Sequence, residues 1–485
     1  MELAAEGVVR RRAGVLLHPT SLPGALGQGD LGPQAYHFVD WLAASGFAVW
    51  QMLPLGPVHS DGSPYQCLSA FAGNPQLISP HLLLERGWLP ANAALDSQPT
   101  AVRQAFDRWY TAGSPQHDQS YRHFIQQHQS WLEDFALFVA LRELHEGESW
   151  SSWPSALRDR EPAALAHVRE QQAELLAWIS FQQYLFFEQW GSLKRYANQR
   201  GVELLGDMPI FVAYDSADVW SQRQLFLLDD KGMPTVVAGV PPDYFSTTGQ
   251  RWGNPLYHWE NLQKSEFAWW TKRFEHQLAL FDQIRIDHFR GFEAYWEIEA
   301  HCDTAINGRW VPAPGAALFD SVLSRLGHLP VVAEDLGVIT PAVEALRDRY
   351  HFPGMKILQF AFGGDASNPY LPHNHVINSV VYTGTHDNDT TLGWYRTADD
   401  KVRHHLLSYL GEPAEEMPWP LVRAAFRSVA RLAVVPMQDL LALDGTHRMN
   451  TPGTTEGNWG WRFSWDQVDP NLAARLREMV RLYGR

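Results

Sequence analysis

Eight short apolar runs recur along the chain, and helical patterns lie between several of them. They cover residues 14–19, 47–53, 202–208, 283–287, 330–334, 356–360, 377–383 and 433–437. Runs of this length with little polar alternation read as strands buried on both faces, which is the pattern of a parallel sheet. The first two bracket a helical pattern at 35–45, where Phe38, Trp41 and Leu42 share one face and Gly46 is placed to close the helix. Such a β-α-β unit pairs its strands in parallel. Repeated eight times, the unit predicts one (β/α)8 barrel, a TIM barrel, over residues 1–485 rather than separate domains. Two stretches break the alternation. Residues 74–200 read as an inserted helical subdomain, with apolar faces through Leu175, Ile179, Tyr184, Phe187 and Trp190. Residues 211–257 are rich in Gly, Pro and aromatics and are too long for a bare connection, so a substrate-covering loop is expected there.

Several of the runs end in a carboxylate. Arg285-Ile286-Asp287, Val332-Ala333-Glu334 and Tyr382-Thr383-Gly384-Thr385-His386-Asp387 each deliver an acid where a strand stops, and Asp207 ends a fourth. Chemistry in a β/α barrel sits at the C-terminal ends of the strands. Carboxyls from separate strand ends suit glycoside chemistry, which needs a pair of them across the scissile bond. Arg285 precedes Asp287 by two residues and shares its face of the strand, so it is expected to lower the Asp287 pKa and keep a nucleophile ionised. Glu334, in an apolar setting near another carboxylate, is expected to have a raised pKa and to serve as a general acid. Each acid alone also has a structural reading, as a strand-end ion pair or an Asx turn. It is their recurrence at successive strand ends that favours a site.

Other chemistries fit poorly. A net charge of -15 argues against nucleic acid and against an anionic membrane surface. No apolar run approaches the ~20 residues of a spanning helix, and the first twelve residues lack the apolar core of a signal peptide. Two cysteines, Cys67 and Cys302, make no disulfide framework, so the cytoplasm is the expected setting. There is no HExxH or CxxC metal motif and no GxSxG elbow, and His373 and His375 are not read as metal ligands. Most of the 21 tryptophans are assigned to packing.

Four longer motifs complete the pattern. They are Gly14-Val15-Leu16-Leu17-His18-Pro19-Thr20-Ser21-Leu22-Pro23; Ser63-Pro64-Tyr65-Gln66 with Ser69-Ala70-Phe71-Ala72-Gly73-Asn74-Pro75; Gly239 to Ser246 with Gly249-Gln250-Arg251-Trp252-Gly253-Asn254-Pro255; and Arg448-Met449-Asn450-Thr451-Pro452-Gly453-Thr454. In this order the chain resembles the amylomaltases, bacterial 4-α-glucanotransferases, from Gly14 to about Phe463. The resemblance implies transfer of α-1,4-glucan segments between maltooligosaccharides by a retaining double displacement, with no cofactor. It implies Asp287 as nucleophile, Glu334 as acid/base and Asp387 as the third acid. It implies Ser63, Tyr65, Asp207, Tyr244, Phe245, Gln250, Trp252, Arg285, His386 and Asn450 as glucan contacts. A retaining pair stands about 5–5.5 Å apart. The pattern is not kept everywhere: Cys67, Val58-His59-Ser60 and Gly363 depart from it, the last in doubt as a substrate contact. An α-glucan hydrolase on the same barrel and a non-catalytic glucan-binding protein are the alternatives. A monomer is the default, because nothing marks an interface.

Overall fold

A computed structural model of the chain describes residues 11–24, 26–93, 95–242 and 246–485. Among the described residues twelve strands run in chain order. They are β1 (Arg12–Leu16), β2 (Val49–Gln51), β3 (Glu203–Pro209), β4 (Val236–Val240), β5 (Gln250–Pro255), β6 (Gln283–Asp287), β7 (Ala294–Glu299), β8 (Gly308–Pro312), β9 (Val331–Ala333), β10 (Gly354–Ile357), β11 (Ser379–Tyr382) and β12 (Leu432–Pro436). Eight of them close a barrel in the order β1-β12-β11-β10-β9-β6-β3-β2. Every neighbouring pair in that barrel is parallel. These eight correspond one to one with the apolar runs, so the fold is the TIM barrel the sequence predicts.

The barrel strands read as continuous apolar runs because both of their faces are buried. Leu16, Val49, Leu205, Val332, Met355, Val380, Tyr382, Leu432 and Val434 pack together in one cluster that fills the barrel. Their neighbours Val15, Trp50, Leu204, Ile284, Val331, Val381, Ala433 and Val435 belong to the larger outer core. The period of two along each strand thus sorts residues between two cores rather than between core and water. One polar pair crosses the barrel interior, where Tyr382 Oη donates to Gln51 Oε1 at 2.9 Å.

Some boundaries shift. The expected strand at 356–360 is displaced to Gly354–Ile357, and Leu358–Phe360 form a 3-10 turn. The helix expected at 35–45 is Pro33–Ala44, with Gly46 at φ +82° just past its end, as its closing role requires. The stretch 211–257 is not a bare loop. It carries the helix Ala217–Ser221 and strands β4 and β5, which join β7 and β8 in a four-stranded sheet of order β5-β4-β7-β8.

Between β2 and β3 the chain first runs through a long irregular segment, turns mostly helical from Pro80 on, and ends in the 27-residue helix Ala173–Gln199. Two buried glutamines fasten that helix to the segment that leaves β2. Gln183 Oε1 accepts from Gly73 N at 2.8 Å and its Nε2 donates to Gly73 O at 2.9 Å. Gln189 does the same with Ser79 N at 2.7 Å and Ser79 O at 3.1 Å. Each amide pairs with the N–H and C=O of one residue, as a neighbouring strand would. Gly73 has no alternative, because a Cβ there would stand 2.0 Å from the Phe186 ring. Among the described residues no helix is long and apolar enough to cross a membrane.

Replacing Gln183 with Leu leaves the buried N–H and C=O of Gly73 without these partners. The Gln183→Leu variant is therefore expected to lose about 2–4 kcal/mol of stability, measured as a fall in the urea midpoint at unchanged slope.

Candidate active site

The parallel register of β3 and β6 sets Asp207 opposite Arg285 and Pro209 opposite Asp287. Arg285 and Asp287 lie two residues apart and so share a face, which makes Asp207 the third member of that face. The Arg285 guanidinium uses this placement fully. Its Nη1 donates to both oxygens of Asp207, at 2.8 and 2.7 Å, and its Nη2 stands 3.1 Å from Asp287 Oδ1. Arg285 and Asp207 are 4% and 2% exposed, so this is a buried ion pair, while the Asp287 side chain keeps 30% of its surface open to the cleft. Tyr65, from the loop after β2, donates its hydroxyl to Asp207 Oδ2 at 2.7 Å. Ser63 Oγ accepts from Tyr65 N at 3.3 Å and braces the turn that delivers the phenol.

Glu334 is the first residue beyond β9. Its backbone is welded to the end of β6: Glu334 N donates to Ile286 O at 3.0 Å, and Phe289 N donates to Glu334 O at 3.1 Å. Its carboxylate accepts two backbone donors, His288 N at 2.7 Å and Leu336 N at 3.0 Å. The neighbouring Asp335 points away, where it accepts from Met355 N at 2.7 Å and pairs with Arg347 at 2.5 Å.

Asp387 arrives on the loop after β11. Asp439 fixes that loop by accepting from the hydroxyls of Thr383 and Thr391, each at 2.6 Å, and from Thr391 N at 2.7 Å. Gly384 is not in a left-handed turn; a Cβ there would lie 2.6 Å from Gln359 Nε2, which donates to Asp389 O at 2.9 Å, so a side chain at 384 would displace that amide. Asn450 Nδ2 donates to Asp387 Oδ1 at 2.6 Å, and His386 Nε2 stands 3.3 Å from Oδ2. The Tyr65 ring stacks on His386 with centroids 5.2 Å apart and closes the ring of contacts back to Asp207.

The fields on the acids differ. Burial pushes the Glu334 carboxyl up to about 8, with Asp287 adding to the rise, and Arg285 and the two backbone donors oppose it. For Asp287 the sequence expectation is reversed. Loss of water in the cleft outweighs Arg285, and with Asp207 and Asp387 nearby the carboxyl rises to about 6. Burial opposes ionisation of Asp387 too, but His386, Asn450 and Arg285 prevail and hold it well below the usual carboxylate range. At neutral pH one cleft therefore holds a protonated Glu334, an ionised Asp287 and a firmly ionised Asp387.

Seven of the predicted residues thus form one contact network, Tyr65, Asp207, Arg285, Asp287, His386, Asp387 and Asn450, with Ser63 behind Tyr65, and Glu334 is fixed beside it through the backbone at the end of β6. Gln250 and Trp252 lie on β5, outside that network. Trp252 Nε1 donates to Gln250 Oε1 at 3.2 Å, and its ring meets His288 edge-on at 4.8 Å. Tyr244 and Phe245 lie outside the described residues. Gly363 is exposed, with nothing within 4 Å of a built Cβ. Trp459 belongs with the site and was not read from the sequence. It lies 6.0 Å from Tyr65 and 6.1 Å from His386, at φ +64°. The one sequence signal for it is the Gly-Asn-Trp-Gly-Trp run at 457–461.

Residues 17–468 match the model of the 4-alpha-glucanotransferase family. The chain is 51% identical to a 4-alpha-glucanotransferase of Thermus thermophilus over 97% of this chain and 98% of that one. It is 48% identical to the Synechocystis sp. 4-alpha-glucanotransferase over 98% of both. Among solved structures it is similar to amylomaltase from Streptococcus agalactiae in complex with acarbose, with a TM-score of 0.94 and 37% identity, covering 98% of this chain and 100% of that one.

The unequal acids have a spectroscopic consequence. At pH 7 an infrared spectrum is expected to show a protonated carboxyl that titrates near 8 and disappears in Glu334→Gln. A second group titrating near 6 is expected to disappear in Asp287→Asn. Asp287 is ionised where Glu334 titrates, so Asp287→Asn also moves the Glu334 titration downward, whereas Glu334→Gln leaves the Asp287 titration near 6 because Glu334 carries no charge there.

Proposed function

The chain belongs to the 4-alpha-glucanotransferase family, and from that premise we propose how its own residues divide the transfer of an α-1,4-glucan segment. Glu334 gives its proton to the glycosidic oxygen while Asp287 attacks the anomeric carbon from the opposite face. The C1–O4 bond breaks, the first sugar product leaves with the Glu334 proton, and the donor segment remains as an ester on Asp287. Glu334, now ionised, takes the proton of an acceptor 4-hydroxyl, and that oxygen displaces Asp287 from the anomeric carbon. The configuration is inverted twice and so retained. Proton, bond and charge all return to their starting places.

The observation that carries this reading is geometric: Asp287 and Glu334 stand at adjacent strand ends, tied by the bond from Glu334 N to Ile286 O at 3.0 Å, with Arg285 against Asp287 and burial raising the Glu334 carboxyl. A general acid needs its proton at neutral pH and a nucleophile needs to be without one. Asp387, ionised and aimed by Asn450 and His386, suits the hydroxyls and developing positive charge of the distorted sugar. Transfer outruns hydrolysis only when water is kept from the ester. The aromatic edge of β5, with Trp252, supports that role, as does the Tyr65–Trp459–His386 cluster. α-1,4-Glucans and maltooligosaccharides serve as both donor and acceptor in this scheme. A cytoplasmic setting fits the two free thiols, Cys67 and Cys302.

Maltotriose tests the scheme. Incubation with the protein is expected to give glucose together with a ladder of longer maltooligosaccharides, separated by length. The Asp287→Asn variant is expected to lose about six orders of magnitude in rate, comparable to removing another enzyme's nucleophile. Only glucose and maltose, with no longer product, would identify a hydrolase instead. Turnover is also expected to follow a bell, falling below about 6 as Asp287 takes up a proton and above about 8 as Glu334 loses one.

A further inference from the structure

His288 follows Asp287 directly and takes no place in the scheme above. Its backbone is left-handed, at φ +54° and ψ +50°, a conformation uncommon outside glycine that Asn, Asp and His enter more readily than other residues and β-branched residues resist most. The consequence falls on Glu334. Along a continuing strand the N–H groups of 288 and 289 would point to opposite edges. With the kink at 288, both point to residue 334: His288 N to the carboxylate at 2.7 Å and Phe289 N to the carbonyl at 3.1 Å.

Packing holds the kink. The His288 residue is 9% exposed, and its ring stands edge-on to Trp252 at 4.8 Å and 87°, with Phe211 at 6.4 Å. A Cβ on Gly291 would approach the ring to 3.1 Å. His288 Nε2 has no hydrogen-bond partner among the described residues, so contact rather than polar bonding locks the ring. Burial, with Arg290 nearby, keeps the imidazole neutral, its pKa lowered to about 3. The groups that face Glu334 are Arg285 and Asp287 from β6, the backbone N–H of Leu336 beyond β9, and Tyr370.

We propose that His288 is a positioning residue for Glu334: its left-handed turn aims two backbone N–H groups at residue 334, and the contact of its ring with Trp252 holds that turn. Because Trp252 belongs to β5, the same contact ties the acid/base to the sheet beside the cleft. The inference rests on Glu334 being the acid/base.

Initial rates of maltotriose disproportionation against pH test it, with His288→Val, His288→Asn and Trp252→Leu compared with the unaltered chain. Valine resists the left-handed conformation, whereas asparagine accepts it without supplying the ring. The hydrogen bond from His288 N favours the ionised carboxylate, so its loss raises the Glu334 pKa. In His288→Val the alkaline limb is expected to move up by about half to one pH unit. Its kcat is expected to fall about tenfold at a KM within about twofold. In His288→Asn the limb is expected to stay near that of the unaltered chain. Trp252→Leu is expected to move the limb upward when His288 is present and to leave it in place in the His288→Asn background. If His288→Val does not accumulate folded, His288→Ala imposes a smaller backbone penalty of the same kind, and its limb is expected to move in the same direction by less. An unmoved limb in His288→Val, or equal shifts in the Val and Asn variants, would overturn the proposal. Glu334→Gln separates the two levels: near-native turnover there would remove Glu334 as acid/base, whereas an inactive Glu334→Gln with an unmoved His288→Val would remove only the role of His288.

Discussion

One guanidinium, that of Arg285, makes the rest of the site possible. Four carboxyls converge on one cleft, those of Asp207, Asp287, Glu334 and Asp387, and Arg285 is the cation that touches two of them. A buried carboxylate without a partner costs several kcal/mol, so this arrangement requires a cation that is itself held in place. The barrel register does that by seating Arg285 against Asp207. Asp207 in turn anchors Tyr65, and Tyr65 stacks on His386, which stands beside Asp387. Three strand ends and the loop after β2 are thereby registered against a single charge.

Arg285 does not make the acids equivalent, and the chemistry depends on that. It lies against Asp287 and faces Glu334 only at longer range. Glu334 takes its two donors from backbone N–H groups, and these do not overcome burial beside a second negative charge. Asp387 has its own local partners in Asn450 and His386. Three carboxyls in one cleft thus receive a proton donor's, a nucleophile's and a permanent anion's setting from different neighbours. The same welds between β6 and β9 that place Glu334 also fix its height relative to Asp287, so positioning and electrostatics share their hydrogen bonds.

The barrel was legible because its strands are apolar on both faces, and the acids were legible because each follows such a run directly. The side sheet was harder to read. β5 and β8, Gln-Arg-Trp-Gly-Asn-Pro and Gly-Arg-Trp-Val-Pro, are edge strands with exposed residues, and neither has the apolar run that marks the barrel. The direction of the Asp287 shift was misjudged for a related reason. Arg285 is visible two residues away in the sequence, whereas the loss of water in the cleft exists only once the chain has closed around it. Gly384 shows a similar limit: its glycine suggests a turn, whereas in the fold it lies against the Gln359 side chain from the 3-10 turn after β10. Trp459 and His288 owe their places to left-handed backbone at residues other than glycine, which composition does not announce.

The covalent ester on Asp287 is the central claim, and it can be weighed directly. A maltosyl fluoride blocked at its non-reducing 4-hydroxyl cannot act as acceptor, and fluoride leaves without a proton from Glu334. With the Glu334→Gln variant the ester should form and persist, because no base activates its release. Peptide mass mapping should then find the added maltosyl mass on the fragment that contains Asp287. An adduct on the fragment containing Asp387, or turnover of the fluoride with no adduct at any time, would contradict the account.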